Sequence, residues 1–374
     1  MRVILVLNVG SSSLKCATFD ADNGSGPLRR YADATPSLTA RARLDRALDA
    51  LLVGDDRIVA VGHRLVHGGP SYSAATLLTR AVRADLDRLI PLAPEHLPSE
   101  LAFIDVIGEL FPTIPQLGCF DTGFHSGLPD RARHFALPRH FAEEGIVRYG
   151  FHGLSYESVL ETLRATGGVP RRLVIAHLGN GASLVAVLDG RSIDTTMGLT
   201  PTGGVPMGTR SGDLDPGVLL YLMRARGLTV DDLDLAVNQR GGLLGLSGTT
   251  SDMRELLVRE SGDSRAAEAV GAFCYHIAKA VGSYAAALEG LDALVFTGGI
   301  GEHAATIRAR VCESLAWLDL RIDADANARN ATCISAVASA VKVQVIPANE
   351  ERSVARAVRR GLADTSTVMN DDRA

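Results

Sequence analysis

Cysteine is scarce and never clustered. The five residues Cys16, Cys119, Cys274, Cys312 and Cys333 form no Cys-x-x-Cys pair, so a disulfide framework or thiolate metal site is not expected. They read as buried thiols of a cytoplasmic protein. No apolar run approaches the length of a membrane span. The short N-terminal run at residues 4–7 breaks at Asn8 with no cleavage-site pattern, so no signal peptide is expected. No Lys/Arg-rich block occurs and the net charge is −5, which argues against a nucleic-acid surface. There is no Gly-x4-Gly-Lys-Ser/Thr, no catalytic His-Arg-Asp and no His-Glu-x-x-His. Residues 298–301 lack the spacing of a dinucleotide fingerprint. P-loop, protein-kinase, zinc-protease and Rossmann chemistry are set aside on these grounds.

A chain of 374 residues is too long for one compact core and suits two domains. Its 46% hydrophobic and 22% charged content is that of an ordinary globular protein. The most informative stretch is ILVLNVGSSSLKCATFD at residues 4–20. An apolar run meets a polar knot of Gly10, Ser11, Ser12 and Ser13, then resumes as a second apolar run, which predicts strand, tight turn, strand. The hydroxyls and turn N–H groups, with Lys15 beside them, suit a phosphate. A partial echo follows at residues 173–190, LVIAHLGNGASLVAVLDG, in which 10–14 parallels 179–184 with one extra residue. Two copies of one device predict a duplicated α/β unit, each half offering a turn to the same ligand.

Further along, apolar runs at 57–66, 115–120, 291–297 and 341–346 predict strands, and residues 266–288 predict a long Ala-rich helix. The strand ending at Phe120 delivers Asp121 at its C-terminal end, where α/β proteins collect ligand groups. Residues 195–217 are polar and glycine-rich with no hydrophobic period, a length of loop that is mobile or functional. Residues 241–252 read as another glycine-rich turn, and Gly298-Gly299-Ile300-Gly301 as a turn before a helix starting at His303. The closing stretch 353–361 is a basic helix, and the polar end of the chain reads as frayed. Arg64 and Arg210 fall in turns, and a planar guanidinium suits carboxylate or phosphoryl oxygens. Asp121, Asp252 and Glu350 also fall at turns, and Mg²⁺ usually takes one or two carboxylates with phosphate and water. These are the parts of phosphoryl transfer by positioning, cations and one metal.

NVGSSSLK, GHRLVHGG, FDTGFH, RYGFHG, HLGNGAS, MGTRSGDLDPG, GLLGLSGTTSDMRE, LVFTGGIGE and IPANEE run nearly end to end through the chain. Together they resemble the acetate kinase family, within the actin, sugar-kinase and Hsp70-type ATPase superfamily. The resemblance implies an α/β fold of two duplicated RNase-H-like (actin-like ATPase) domains with an active-site cleft between them. Domain one is expected over 1–121, completed by a helix at 352–366. Domain two is expected over 125–351, with a disordered tail at 367–374.

The reaction implied is reversible transfer between ATP and acetate, giving acetyl phosphate and ADP by direct in-line displacement. The catalytic residues implied are Arg64, Asp121, His152 and Arg210, with Arg64, Val66, Phe151 and Pro201 receiving the carboxylate and its acyl group. The nucleotide would be bound by Lys15, Asn180, Gly181, Asp252, Met253, Arg254, Gly298, Gly299, Ile300, Gly301 and His303. Asn8 and Glu350 would place Mg²⁺ or Mn²⁺. A cytoplasmic homodimer without nucleic-acid or membrane partners is implied. His63, His67, His125 and His177 are given structural roles.

The chain departs from the family at several positions. Glu95-His96-Leu97-Pro98 stands where Leu-His-Asn-Pro is usual, which brings an acid to an apolar place near the substrate methyl group. The expectation is that Glu95 turns away, with a base such as Arg88 as its partner. His303 stands where Asn is usual, and Thr202-Gly203-Gly204 replaces Leu-Glu-Gly. Propionate and butyrate kinases share the chemistry and are the nearer alternative. A nucleotide switch of the actin or Hsp70 kind is the more distant one; it needs phosphate turns and a metal acid, but not two arginines with a histidine.

Overall fold

The computed structural model describes residues 1–10, 13–23, 26–35 and 37–371, with backbone alone for 364–371. Ser11 and Ser12 of the serine knot, and residues 372–374 of the expected tail, lie outside the described residues. The chain divides into two compact units. Unit 1 comprises Met1–Ser126, Phe151–Ser158 and Asn349–Ala374, and unit 2 comprises Gly127–Gly150 and Val159–Ala348.

Unit 1 is built on strands β1 (Arg2–Val9), β2 (Leu14–Asp20), β3 (Arg29–Asp33), β4 (Arg57–Leu65), β5 (Thr76–Leu77) and β6 (Gln116–Phe120), in the order β3-β2-β1-β4-β6-β5. β1, β2 and β3 form an antiparallel meander, and β1, β4 and β6 run parallel. The continuous apolar run of β1 is what a strand covered on both faces requires. Val3, Leu5, Leu7 and Val9 join Leu44, Leu51, Phe103 and Ile107 of the helices Ala40–Leu51 and Leu97–Leu110. Ile4 and Val6 point the other way, into a cluster with Val354, Ala355 and Val358 of the last helix, Glu350–Asp371. Gly62 in β4 makes that second contact close: a Cβ there would stand 2.6 Å from Val354 Cγ1.

Unit 2 repeats the pattern with β7 (Arg172–Leu178), β8 (Ala182–Leu188), β9 (Arg191–Thr195), β10 (Ala293–Thr297) and β11 (Lys342–Val345), ordered β11-β10-β7-β8-β9. Again three strands form an antiparallel meander, and the first of them continues into two parallel neighbours. The 24-residue helix Ser264–Ala287 buries one stripe, including Ala266, Val270, Phe273, Ile277, Val281 and Tyr284, as a period of three to four residues demands.

Several local expectations are corrected. In the first hairpin Val9 pairs with Leu14, and in the second Leu178 pairs with Ala182. The first turn, 10–13, is therefore the longer of the two, and Leu14 matches Ala182 rather than Leu184. Phe151–Ser158 was expected in the second domain but belongs to unit 1, because Leu154 sits in the core beneath β1 and Gly153 lies flat on β6's exit, where a Cβ would come 2.1 Å from Asp121 O. Within the glycine-rich 241–252 a helix forms at Gly242–Ser247. The helix expected from His303 begins earlier, as Gly298–His303, with Gly298 at φ 77°, a left-handed entry that favours glycine. The last helix is continuous to Asp371 and so takes in 367–371 of the expected tail.

Candidate active site

In unit 1 the parallel strands end together, and their C-terminal residues carry the polar groups. Asn8 and Arg64 are register partners on β1 and β4, and β6 runs directly into Asp121. Arg64 donates to Asp121 Oδ2 through Nε at 3.1 Å and Nη2 at 2.5 Å, and through Nη1 to Glu100 Oε1 at 3.2 Å. Its side chain is 10% exposed, and those of Glu100 and Asp121 are 1% and 2% exposed. Burial works against the Arg64 charge, but the carboxylates of Asp121, Glu100 and Glu350 outweigh it and hold its pKa above the ordinary range. Burial pushes Asp121 up; Arg64 pulls it back and Glu350 adds to the rise. Burial likewise pushes Glu100 up to about 7 against the pull of Arg64.

Asn8 Nδ2 donates to Glu350 Oε2 at 2.8 Å, because Asn8 shares the β1 face on which the last helix packs. Among the described residues, Asp121 Oδ1 is buried without a hydrogen-bond partner. Oxygens on Asn8, Glu350 and Asp121 are of the hard type that a small divalent cation takes. Val66 and Phe151 are buried, and Phe151 meets the His67 ring edge-on at 5.5 Å. His152 follows with φ 59°, a strained conformation for a non-glycine residue of the kind that concentrates at functional sites. His63 and His125 face inward: His63 Nε2 lies 2.8 Å from Gln116 Oε1, and His125 Nε2 lies 3.1 Å from Phe151 O.

Unit 2 holds a cavity of about 620 Å³ at the ends of β7 and β10, within the size range of ligand pockets. Asn180, Asp252, Met253, Arg254, Gly299, Ile300 and His303 line it together with Gly179, Ser251, Leu257 and Ala304. Asp252 caps the helix Met253–Arg259, and its pairing with Arg254 lowers its pKa to about 2. Gly298 and Gly301 are buried behind the pocket. Arg308 holds that wall from behind, donating to the carbonyls of Gly301 and Glu302 and to Asn327 and Asn330. The Gly208 N–H donates to Asn180 O at 2.9 Å, which ties the 179–181 turn to the loop that carries Arg210. Arg210 Nη1 donates to Pro201 O at 2.8 Å.

The residues read from the sequence thus gather in two groups. Asn8, Arg64, Val66, Asp121, Phe151, His152 and Glu350 belong to unit 1, while Pro201, Arg210 and the pocket residues belong to unit 2. Lys15, expected with the nucleotide group, is an exposed residue of β2 in unit 1. Glu95 does not pair with Arg88, whose partner is Asp85.

Glu100 was missed. It stands one turn after Leu97 and one before Ile104 on the buried stripe of its helix, so a lone acid on an apolar face was the available signal. Cys333 is exposed, against the expectation that the thiols are buried, while the other four are buried.

Residues 42–356 match the acetokinase family. The chain is 45% identical to the acetate kinase of Rhodopseudomonas palustris, over 97% of this chain and 98% of that one. Its fold is similar to the crystal structure of a propionate kinase from Francisella tularensis, with TM-score 0.86 and 35% identity over 96% of this chain and 99% of that one. It is also similar to that of Porphyromonas gingivalis acetate kinase, with TM-score 0.84 and 35% identity over 99% and 100%.

Proposed function

The chain belongs to the acetokinase family, and from that premise we propose that it transfers a phosphoryl group reversibly between ATP and acetate, giving acetyl phosphate and ADP. The observation that carries this reading is Arg64, nine-tenths buried at a strand end and held charged by flanking carboxylates. Taken with Arg210 and His152, a fixed cation of this kind suits a reacting anion, and a nucleotide switch does not need all three.

In this reading the pocket of Asn180, Asp252, Met253, Arg254, Gly299, Ile300 and His303 takes the nucleotide, with Gly181, Gly298 and Gly301 shaping its turns. Arg64 and Arg210 hold the carboxylate and the transferring phosphoryl group, whose charge redistributes in the transition state. Asp121 fixes the plane of Arg64 through two donors on one oxygen. His152, with its constrained backbone, donates to a phosphoryl oxygen. Val66, Phe151 and Pro201 wall the acyl group. Asn8 and Glu350 would hold Mg²⁺, which when bound offsets phosphate charge; Mn²⁺ presents the same chemistry. Direct transfer requires the two ligands to meet during the reaction.

The test is a hydroxylamine trap. With ATP, Mg²⁺ and acetate, the protein should form an acyl hydroxamate. Failure with every short carboxylate, together with slow ATP hydrolysis, would favour the switch. A series from acetate to propionate and butyrate decides the second reading, which the similar Francisella propionate kinase supports.

A homodimer is the third part of the proposal. The helix Pro216–Arg226 has no buried residue and exposes Val218 and Tyr221 on one side and Leu220 and Met223 on the other, apolar surface that a second copy would cover. Tyr221→Glu should shift the protein to monomer in light scattering; an unchanged mass would remove this helix from the interface. A cytoplasmic location suits an ATP-consuming enzyme whose five cysteines are free. No described helix is long and apolar enough to cross a membrane.

A further inference from the structure

Glu100 has no part in the chemistry above, yet it makes two bonds that bear on it. Its helix, Leu97–Leu110, otherwise buries apolar side chains: Leu97, Leu101, Phe103, Ile104 and Ile107. From within that face Glu100 Oε1 accepts from Arg64 Nη1 at 3.2 Å, and Oε2 accepts from the Val66 N–H at 3.0 Å. Both partners are donors. Two acceptor oxygens on one side chain are needed to serve both, and an ionised carboxylate supplies them where an amide has only one.

The consequence for Arg64 follows from counting its donors. A guanidinium has about five N–H groups in one plane. Nε and Nη2 each give one to Asp121, and Nη1 serves Glu100 and, at 3.5 Å, the carbonyl of Val9. A single Nη2 N–H is left. Arg64 therefore meets a ligand with one aimed donor, and the plane of that donor is fixed from both sides.

We propose that Glu100 is the positioning residue of the carboxylate site, pinning the Arg64 guanidinium and the Val66 backbone in one orientation and leaving Arg64 one N–H for the substrate. This rests on the carboxylate-kinase reading. Above pH 7, where Glu100 is ionised, the arrangement places a buried negative charge close to the cation that receives an anion, so it weakens ground-state binding of the carboxylate. What it supplies is orientation, and orientation counts most where charge is redistributing.

Two substitutions separate charge from reach. Glu100→Gln keeps the length and removes the charge and one acceptor. Glu100→Asp keeps the charge and both acceptors but is one methylene too short to span Arg64 and Val66. The experiment is steady-state kinetics by the hydroxamate assay on the full chain, with thermal melting alongside. Glu100→Gln should lower kcat for acetate about tenfold or more, with the acetate KM at or below wild type and the ATP KM within about twofold. Glu100→Asp should also lose kcat, without a fall in acetate KM.

Wild-type kcat in either variant overturns the proposal. So does a joint rise of both KM values with a drop in melting temperature, which marks a merely structural acid. Should Glu100→Gln not fold, Glu100→Asp decides by the same criteria. A wild-type protein that forms no hydroxamate defeats the functional reading and this inference with it. An active wild type with an unaltered Glu100→Gln defeats this inference alone.

Discussion

Asn8, at the end of the first strand, donates a 2.8 Å hydrogen bond to Glu350, 342 residues later at the start of the last helix. The first strand and the last helix thus bring an amide and a carboxylate to one point, and the Glu350 charge acts on Asp121. Removing the carboxylate should leave the nucleotide pocket of unit 2 intact while weakening the hold on a divalent cation. Glu350→Ala is expected to shift the Mg²⁺ titration of activity to about tenfold higher concentration or more, with ATP binding nearly unchanged. A titration that superimposes on wild type would remove Glu350 from the metal site.

Arg210 sits in a loop held by its own bond to Pro201 O and by the 207–210 turn. Its guanidinium is expected to act on the transition state more than on bound ATP. Arg210→Ala should lower kcat about a hundredfold, roughly 3 kcal/mol of barrier, and change ATP affinity far less. Near-normal turnover would take Arg210 out of the mechanism.

His63 and Glu100 set opposing pH dependences on stability. Burial lowers His63 from 6.5 to about 4, against the opposing pull of its Gln116 bond. Between those values the unfolded chain takes up a proton that the folded chain refuses. The His63 contribution is therefore present above pH 6.5 and lost as pH falls toward 4. Burial raises Glu100 from 4.5 to about 7, so there the folded chain keeps a proton that the unfolded chain releases. That contribution is present below pH 4.5 and lost as pH rises through 7. Urea midpoints at pH 5 and pH 8 should show Glu100→Gln gaining on wild type as pH rises, and His63→Gln gaining on wild type as pH falls. A pH-independent difference in either variant would mean that its group does not titrate as described.

Glu95 is half-buried and, among the described residues, makes no hydrogen bond or ion pair. The acid that reaches Arg64 is Glu100, five positions on. Glu95→Leu should therefore leave the Michaelis constants for acetate, propionate and glycolate within about twofold of wild type. A large fall in the acetate constant would make Glu95 a specificity residue after all.

The parallel strands and their termini were legible because doubly covered strands demand long apolar runs, as β1 and β10 show, and because glycine and polar clusters stop them. The duplication was legible in the echoed hairpins, although the matching of Leu14 to Leu184 failed. A one-residue difference in turn length cannot be placed until cross-strand partners are known. The helices at Gly242–Ser247 and Gly298–His303 were hidden because glycine has poor helix propensity, and only packing overrides it. Glu100 was hidden for a related reason. Its importance comes from Arg64 and Val66, which are far away in sequence and close only once β4 lies beside its helix. The return of Phe151–Ser158 to unit 1 leaves no trace in composition; it depends on Leu154 finding a place under β1.

The last helix closes the face of β1 that carries Ile4 and Val6. A ribosome delivers β1 first and that helix last, with an interval on the order of tens of seconds between them. Throughout that time the nascent N-terminal sheet has an uncovered oily side, while strands β7 to β11 emerge and can pair before that helix appears. The half made first is thus the half that matures last. A surface made early in synthesis waits for residues made late.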